Sequence, residues 1–472
     1  MFVFYDLEAT GTSAAFDQVL QVAAIRTDAN LDPIDRFEAR CRRLPWVVPS
    51  PAALRVTGIT PAMLEDSRLP GWYELARATG GCFRRWSPAI FLGWNSFVFD
   101  EPLLRQTLFQ SLQQPFLTTA GGNGRGCVMR IVQAAALYAA ERVQAPRDHR
   151  GRPTFRLDHV APAFGCGAAD SHDAMADAEA ALCVARRIKA LAPAVWERMI
   201  RCCHKRTVLD ELSDTEMLVL TDFTYGRLVS RLVTGCGRHP EDAMEVAVFD
   251  LAHDPAPYLE RTVEELVRLL ARSPKVIRAL RATSQPALMP VEWASPEVAA
   301  REIPEVELRR RATMVAVRAD FRERVGEALR LRRLALQPPS PIEHRLYERF
   351  PETEHDDEAR IDRFHTGDWE ERARLCRAIA DSRRAELARR LVFAEAPEAL
   401  SAEEHTALRR WGVERVLSED ADVPWRTIPM ALREAENLLA EAEGSHRGFL
   451  EDVQRHLETI DDHWSGVAAG LC

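Results

Sequence analysis

The sequence lacks three features that would assign it to a membrane, secreted or zinc-binding class. No apolar run approaches the roughly 20 residues that a membrane helix needs, and the N-terminus has no basic region followed by an apolar signal core. We therefore expect a cytoplasmic protein with no membrane association. The 10 cysteines are scattered without a C-x-x-C pair, which argues against a disulfide framework and a zinc knuckle. Cys202, Cys203 and His204 adjoin one another but lack the spacing of a tetrahedral site.

An excess of positive charge is also missing. The formal net charge of −9 argues against a protein that coats nucleic acid by bulk electrostatics, although a local basic channel is compatible with it. The contents of 46% hydrophobic and 28% charged residues are those of a folded globular chain. A length of 472 residues exceeds one ordinary core and predicts two to four domains.

The first twelve residues combine an apolar run with two acidic residues. The run predicts a buried strand that leads into Asp6 and Glu8. Period-two alternation places these two carboxylates on one face, about 6 to 7 Å apart. Carboxylates on one face need a counter-charge, which a divalent cation, a nearby arginine or lysine, or bulk water can supply. An Asp-x-Glu at a solvated strand edge is therefore the simple alternative to a metal site, and only further acidic residues downstream can decide between them.

Residues 1–200 mix strand and helix patterns, which predicts an α/β domain. Predicted strands lie at 1–12, 18–28, 34–41 and 91–95. The sequence Asp100-Glu101-Pro102 predicts a helix start with Asp100 as its N-cap. The remaining predicted segments are a flexible Gly-rich loop at 118–127, a helix at 131–143, a polar loop at 146–153 and a helix opened by Ser171 that ends near Leu191.

The remainder of the chain predicts a β-containing region followed by helices. Short β-prone runs within 217–251 predict a small barrel or sheet, and 309–333 predicts one Arg-rich amphipathic helix. The Pro-rich segment 337–341 predicts a linker, and Ser401 with Glu404 predicts a capping box. The domain boundaries predicted from these patterns are 1–200, 201–337 and 342–472.

Asp100 and Asp177 are the further acidic residues that the N-terminal strand requires. With Asp6 and Glu8 they could form a site for two hard cations, because Mg²⁺ and Mn²⁺ prefer oxygen ligands. Two such cations about 4 Å apart can clamp both sides of a phosphodiester during an in-line displacement. His172 would then be the base, since an imidazole of near-neutral pKa can deprotonate a water that attacks phosphorus.

The spacing of His172 and Asp177 constrains how they can meet. Five residues correspond to roughly 500° of helical rotation, so on a straight helix the two side chains would point some 140° apart. They can converge only if His172 lies in the entry turn and reaches back, and Ser171 as a cap would put the helix start there. A histidine at a helix start is otherwise a cap or a surface residue.

At this point the residues resemble the exodeoxyribonuclease I branch of the DEDDh 3′-to-5′ exonucleases. The stretches that carry the resemblance are 6–12, 23–28, 56–61, Phe99-Asp100-Glu101 and, most specifically, His172-Asp173-Ala174-Met175-Ala176-Asp177. A weaker resemblance continues through 239–240, 248–252 and 389–411. It implies a ribonuclease H-like exonuclease domain, an SH3-like domain and an all-helical C-terminal domain that closes a channel around one DNA strand.

The resemblance also implies an activity and its cofactors. The reaction would be Mg²⁺-dependent hydrolysis of single-stranded DNA from the 3′ end to 5′-mononucleotides, in DNA repair and recombination. Two Mg²⁺ ions, for which Mn²⁺ can substitute, would be held by Asp6, Glu8 and Asp177 with support from Asp100, and His172 would be the general base. The single-strand DNA-binding protein would be a partner.

The resemblance carries over contacts to DNA as well. Glu8 and Arg105 would contact the nucleic acid, Arg156 would meet its backbone, and a base could stack on Phe116. A surface arginine and a core phenylalanine are the structural alternatives for these residues. The sequence departs from the family at 118–127, 237–238 and 394–396, and we expect all three places to face the nucleic acid.

Two other functions stay open on the sequence. The first is a proofreading or RNA-trimming exonuclease with the same five residues; about 270 residues beyond the nuclease domain argue against proofreading, but not against RNA as substrate. The second is a non-catalytic nucleic-acid-binding or partner-binding scaffold on a nuclease fold. Degenerate scaffolds of that kind lose a ligand or the histidine, and all five residues are present here.

Overall fold

The computed structural model describes residues 1–167, 173–224, 227–294, 298, 302–334, 341–348 and 354–471. Within them, the N-terminal region is built on a mixed sheet, and the α/β class is confirmed. The strands are β1 (Phe2–Ala9), β2 (Val19–Thr27), β3 (Pro33–Arg40), β4 (Ile90–Gly93) and β5 (Gly124–Cys127). The helices are α1 (Pro51–Thr57), α2 (Pro61–Leu64), α3 (Trp72–Trp86), α4 (Asp100–Gln110), α5 (Val128–Tyr138), α6 (Leu157–Ala163), α7 (Ala174–Leu191), α8 (Pro193–Arg201) and α9 (Lys205–Asp214).

The order of strands in this sheet is β3-β2-β1-β4-β5. The first three strands form the predicted antiparallel meander, with Asp6 opposite Ala23. β1, β4 and β5 run parallel, so helices must connect them, and α3 and α4 lie in the two crossovers. β1 is therefore the central strand of the sheet.

Two predictions for this region are wrong. Residues 124–127 are β5, a fully buried edge strand, rather than part of a flexible loop. Asp100 is the first residue of α4 rather than its N-cap, which is Phe99. Glycine-rich composition predicted the loop, but Gly124 and Gly126 instead allow close packing, since a Cβ at either position would lie within 2.9 Å of another residue.

The central region contains a second five-stranded sheet, of order β10-β6-β7-β8-β9, in agreement with the predicted barrel or sheet. Its strands are β6 (Leu218–Thr224), β7 (Arg227–Arg238), β8 (Glu245–Asp250), β9 (Ile277–Arg281) and β10 (Ala287–Met289), and its helices are α10 (Val263–Ala271), α11 (Glu305–Ala316) and α12 (Ala319–Leu334). The single helix predicted at 309–333 is two helices. No glycine or proline marks the break at Val317 and Arg318.

The C-terminal region is helical, as predicted, with the capping box of Ser401 and Glu404 present. Its helices are α13 (Glu354–Thr366), α14 (Trp369–Cys376), α15 (Ser382–Glu395), α16 (Ala402–Leu417), α17 (Ile428–Glu441) and α18 (Gly444–Ala469). Short 3₁₀ helices lie at Leu117–Thr119, Ala282–Ser284, Val291–Trp293, Ile342–Tyr347 and Pro397–Ala399. Most of the predicted linker, 337–340, lies outside the described residues.

The C-terminal helices pack directly on the N-terminal region. Glu434 on α17 accepts hydrogen bonds from the Ser50 hydroxyl and the Ala52 amide, at 2.8 and 3.1 Å. The rings of Phe16 and Trp425 lie 5.9 Å apart. One apolar core runs from β1 into these helices, so the C-terminal region supports the central strand from one side.

Two cysteines form a disulfide that the spacing did not predict. Cys166, just after α6, is bonded to Cys183 on α7, with 5.7 Å between their Cα atoms. Packing of α6 against α7 brings them together, which cysteine spacing along the chain cannot reveal. Among the described helices, none has an apolar stretch long enough to span a membrane.

Candidate active site

Alternation along β1 fixes the face on which the acidic residues lie. Tyr5 and Leu7 pack in the core shared with the C-terminal helices, whereas Phe4 packs in a different core with residues of α5 and α7. Asp6 and Glu8 follow Phe4 at two-residue steps and therefore share its face. The acidic pair consequently lies on the side of the sheet that α7 covers.

Asp177 reaches the acidic pair from α7, which packs on β1 and β2. Carboxylate oxygens of Asp6, Glu8 and Asp177 all lie within 4.8 Å of one another. Asp177 lies in the first turn of α7, where the helix dipole favours a negative charge. The structure thus brings together three of the four carboxylates that the sequence predicted as metal ligands.

Asp100 lies behind this group, at the start of α4, and is 2% exposed. The paired register of β1 with β4 ends at Phe4, so the Leu7 amide lies beyond it. Asp100 Oδ1 accepts a hydrogen bond from that amide at 3.2 Å. The carboxylate is thereby fixed to the strand that carries Asp6 and Glu8, and its charge repels theirs.

A glycine at the end of β4 makes this arrangement possible. A Cβ on Gly93 would lie 2.9 Å from the Tyr5 carbonyl oxygen and 2.8 Å from the Ser96 Cβ. A side chain there would push β4 away from β1 and with it the turn that leads to Asp100. Close approach of two backbones explains why the last residue of β4 is a glycine.

Asp173 anchors the start of α7. Its Oδ1 accepts hydrogen bonds from the Met175 and Ala176 amides, so Asp173 is the N-cap, whereas the predicted cap, Ser171, lies outside the described residues. Its Oδ2 accepts bonds from Gln21 at 3.0 Å and Arg40 at 2.6 Å. β2 and β3 therefore hold the helix end that presents Asp177.

Replacing Asp173 by alanine should lower the free energy of unfolding by about 1 kcal/mol, because the N-cap and the bond to Arg40 are both lost. Hydrogen exchange of the first-turn amides of α7 should speed up, and exchange in α18 should not change. Asp173→Asn is the matched control, since asparagine caps as well as aspartate. Equal exchange in the wild type and Asp173→Ala would refute the anchoring role.

The surroundings of the site carboxylates strongly disfavour the charged forms of these groups. Burial, then repulsion from Asp100, Glu8 and Asp177, holds the pKa of Asp6 well above its usual range. Burial, followed by repulsion from Asp177 and Asp100, raises the pKa of Glu8 to about 9. Burial also raises the pKa of Asp100 to about 7, against the lowering effect of its backbone hydrogen bonds. Arg40 opposes the rise at Glu8, but its guanidinium is bonded to Asp173.

These donors fit a hard divalent cation. Three carboxylates in ligand distance of one another are an oxygen-only set, which suits Mg²⁺ or Mn²⁺ and not a thiolate-seeking metal. Because the three carboxylates repel one another, a bound cation would stabilise their charged forms. The chemistry of the donor set therefore favours the cation over the solvated strand edge as the explanation of Asp6 and Glu8.

Binding of a divalent cation should release protons at pH 7, because Glu8, with a pKa of about 9, must lose its proton to become a ligand. Affinity should rise with pH up to about 9. The stability of the metal-free protein should change with pH in the opposite direction to its metal affinity. The raised pKa of Glu8 stabilises the metal-free fold below pH 4.5, and this contribution is lost as the pH rises to about 9.

Titration calorimetry with Mg²⁺ in buffers of different ionisation enthalpy measures this proton release. The observed heat should change with the buffer for the wild type and change less for Glu8→Gln. Identical heats in all buffers would contradict the assigned protonation state.

Arg156 lies at a cleft that reaches the acidic group. The cleft has a volume of about 470 Å³, and Trp94, Met129, Arg156 and Asp177 are among the residues that line it. The Arg156 side chain is 70% exposed and pairs with Asp158 at 2.7 Å. An exposed guanidinium, an indole and a metal-site carboxylate thus border one cavity.

Arg105 and Phe116 are placed differently. Arg105 is 8% exposed, and its Nε donates to Glu101 at 2.8 Å. Its guanidinium lies 5.1 Å from the centre of the Phe116 ring, which is itself partly buried. Phe116 therefore packs against the core, as its structural alternative states, whereas Arg105 is buried and is not a surface arginine. The contacts of both residues with nucleic acid stay predictions. His172 lies outside the described residues.

The three departures from the family were expected to face nucleic acid, and the structure gives other surroundings for parts of each. Residues 124–127 are buried in the sheet. A Cβ on Gly237 would lie 2.8 Å from Val325, because β7 packs on α12 there. Glu395 pairs with Arg42 at 3.1 Å, across the contact between the helical and N-terminal regions.

Sequence reasoning missed Gln21, Arg40, Asp173 and Glu101 as parts of the site. Gln21 gave a usable signal, since a glutamine inside the apolar run of β2 requires a polar partner. Glu101, the second acid of the predicted helix start, is fully buried and bonded to four side chains. Spacing along the chain offers no signal for those bonds.

Comparison with known proteins agrees with this geometry. A family model described as an exonuclease, RNase_T, matches residues 3–75, which include Asp6 and Glu8. Over 266 residues the chain is 31% identical to Exodeoxyribonuclease I of Escherichia coli strain K12. That match covers 55% of this chain and 55% of the relative, so it spans about half of each. The resemblance to the exodeoxyribonuclease I family is confirmed.

Solved structures extend the match to nearly the whole chain. An Exonuclease I from Methylocaldum szegediense aligns with a TM-score of 0.82 at 24% identity, covering 97% of this chain and 99% of that one. The E. coli Exonuclease I in complex with a dA16 oligonucleotide aligns with a TM-score of 0.80 at 22% identity and the same coverage. The chain has the exonuclease I fold. This fold includes the central sheet and C-terminal helices as well as the exonuclease region, and it confirms the predicted architecture.

Proposed function

We propose that this chain is a divalent-metal-dependent 3′-to-5′ exonuclease that hydrolyses single-stranded DNA to 5′-mononucleotides. The observation that carries the proposal is the convergence of Asp6, Glu8 and Asp177 within 4.8 Å, inside an exonuclease I fold. The E. coli neighbours include complexes with dA16 and dT13 oligonucleotides and a zinc-bound complex with single-stranded DNA. These relatives support single-stranded DNA as the substrate and a divalent cation as the cofactor.

Each site residue would have a separate role in the reaction. Asp6, Glu8 and Asp177, with support from Asp100, would hold two Mg²⁺ ions, and Mn²⁺ can take their place. When bound, the cations supply positive charge that offsets the charge developing on the phosphodiester. His172 accepts the proton of the attacking water, whose oxygen bonds to phosphorus as the bond to the 3′ oxygen breaks. The products are a 5′-mononucleotide and a strand shorter by one residue with a free 3′ hydroxyl.

Arg156 and its cleft fit the substrate strand. The guanidinium can pair with a backbone phosphate, and the Trp94 indole can pack against a base or sugar in the same cavity. Glu8, Arg105 and Phe116 are proposed further contacts with the strand. The proposal also includes division into domains at 1–200, 201–337 and 342–472, a cytoplasmic location, a role in DNA repair and recombination, and the single-strand DNA-binding protein as a partner.

Replacing Arg156 by alanine should raise the KM for single-stranded DNA several-fold and leave kcat nearly unchanged. Loss of one phosphate contact should also reduce the slope of log affinity against log salt by about 0.7. Arg152→Ala is the matched control, because Arg152 is equally exposed and pairs with Asp148 away from the Asp177 cleft. If both variants bind DNA like the wild type, Arg156 makes no contact with the backbone.

The function is tested by following equal-length strands of DNA and RNA, each labelled at the 5′ end, with Mg²⁺ present. We expect a ladder of shortening products from single-stranded DNA, released 5′-mononucleotides, and little change in duplex DNA or RNA. Faster digestion of RNA would favour an RNA-trimming enzyme. Intact strands in every reaction would favour the non-catalytic scaffold and refute the proposed enzyme.

A further inference from the structure

Glu101 is a buried carboxylate directly behind the acidic site. It is 2% exposed, and four side chains converge on it. Its Oε1 accepts bonds from Arg105 at 2.8 Å, Arg125 at 2.8 Å and Thr118 at 2.6 Å. Its Oε2 accepts a bond from the Tyr5 hydroxyl at 3.0 Å. Every contact is charge-assisted, so this carboxylate is held firmly as an anion.

The four partners come from separate parts of the N-terminal region. Tyr5 precedes Asp6 on β1, Arg125 lies on β5, Thr118 lies in the 3₁₀ helix before it, and Arg105 lies one turn along α4. Glu101 therefore ties β1, α4 and β5 together beside the carboxylates. Its neighbour Asp100 bonds to β1 from the same turn of α4. Asp100 and Glu101, which are consecutive in α4, therefore both form hydrogen bonds to β1.

Glu101 has one negative charge and two positively charged partners. Two guanidinium groups share this one carboxylate, and the side chains of Arg105 and Arg125 are each 10% exposed. Without the charge on Glu101, both arginines would remain buried without an anion, which is unfavourable because a buried charge needs a partner. The carboxylate of Asp100 lies close enough to Glu101 for the two charges to interact, so it would attract both guanidinium groups.

We propose that Glu101 is a positioning residue for the metal carboxylates: it holds α4 against β1 and keeps Arg105 and Arg125 from pairing with Asp100. This inference rests on the proposed function, because it concerns the same site. Glu101 is not one of the three carboxylates that meet at the acidic site. Its effect passes through Asp100, which it adjoins, and Asp6, which adjoins Tyr5.

The test replaces Glu101 by glutamine, which keeps the shape and removes the charge. We expect the Kd for Mn²⁺, measured by calorimetry on the protein without DNA, to rise by about tenfold or more. We also expect kcat to fall by at least as much, with the KM for single-stranded DNA little changed. Glu101→Asp, which restores the charge, should recover part of both losses.

Glu211→Gln is the matched control. Glu211 is also a glutamate between two arginines, Arg198 and Arg201, and its side chain is only 13% exposed, but it lies on α9. Both glutamine variants should lose thermal stability, while only Glu101→Gln should lose Mn²⁺ affinity. A purely structural role would instead change both variants alike.

Each outcome separates this inference from the function itself. Wild-type Mn²⁺ affinity and kcat in a folded Glu101→Gln protein would overturn the positioning role. If Glu101→Gln does not fold, Tyr5→Phe decides, because it removes the bond between β1 and Glu101, and a Kd for Mn²⁺ equal to the wild-type value in that variant overturns the inference. A wild-type protein that neither binds Mn²⁺ nor digests DNA would instead refute the proposed function.

Discussion

Replacing Asp6 by asparagine should lower kcat on single-stranded DNA by about a thousandfold or more while the protein stays folded. Asp6 is one of three residues whose carboxylate oxygens lie within 4.8 Å of one another. Loss of its negative charge weakens the hold on a cation that is worth several kcal/mol to the reaction, and each 1.4 kcal/mol is a factor of ten. Initial rates of mononucleotide release in saturating Mg²⁺ measure the loss.

Asp32→Asn is the control for this substitution, because Asp32 lies in the turn between β2 and β3 with its side chain 73% exposed. Its activity should equal that of the wild type. The thermal stability of metal-free Asp6→Asn should rise, because burial and repulsion oppose the charge that the substitution removes. A variant that keeps more than a tenth of the wild-type rate would show that Asp6 holds no essential ligand.

Replacing His172 by alanine should lower kcat by about a hundredfold to ten-thousandfold, the range typical of a lost general base. The acidic limb of the pH–rate profile should change with it, since an imidazole of near-neutral pKa controls that limb. Metal affinity should stay near the wild-type value, which distinguishes His172 from the carboxylates. Stopped reactions over pH 5 to 9 supply the profile.

His159→Ala provides the comparison, because His159 is an exposed histidine on α6 of the same region. It should keep the wild-type rate and profile. Added imidazole should restore part of the activity of His172→Ala. It should have no effect on the activity of His159→Ala. An unchanged pH profile in His172→Ala would remove the histidine from the mechanism.

The sequence was most informative where a simple period determined the structure. Alternation along β1 placed Asp6 and Glu8 on one face, and the structure puts both on the side covered by α7. The three-strand meander followed from runs separated by turn residues. Asp177 could be joined to this site only through the motif that contains it, because helical spacing says nothing about which strand a helix covers.

The sequence was least informative where long-range packing determined the structure. The glycines of 118–127 suggested a mobile loop, yet Gly124 and Gly126 pair in parallel with β4. Burial overrides the low strand propensity of glycine at such an edge. The N-cap of α7 is Asp173 because Gln21 and Arg40 hold it, and those residues lie 152 and 133 positions away.

The buried cluster around Glu101 shows the same limit. Its four partners span residues 5 to 125, and each is an ordinary residue in its own segment. Only the fold shows that two arginines meet a single carboxylate there. The break between α11 and α12 likewise has no glycine or proline to announce it.

Anomalous X-ray diffraction from crystals of the wild-type protein grown with Mn²⁺ would locate the cation directly. We expect anomalous density among the carboxylates of Asp6, Glu8 and Asp177, and none there in Asp6→Asn crystals prepared identically. Mn²⁺ bound elsewhere, with the three carboxylates free of density, would contradict the assigned metal site.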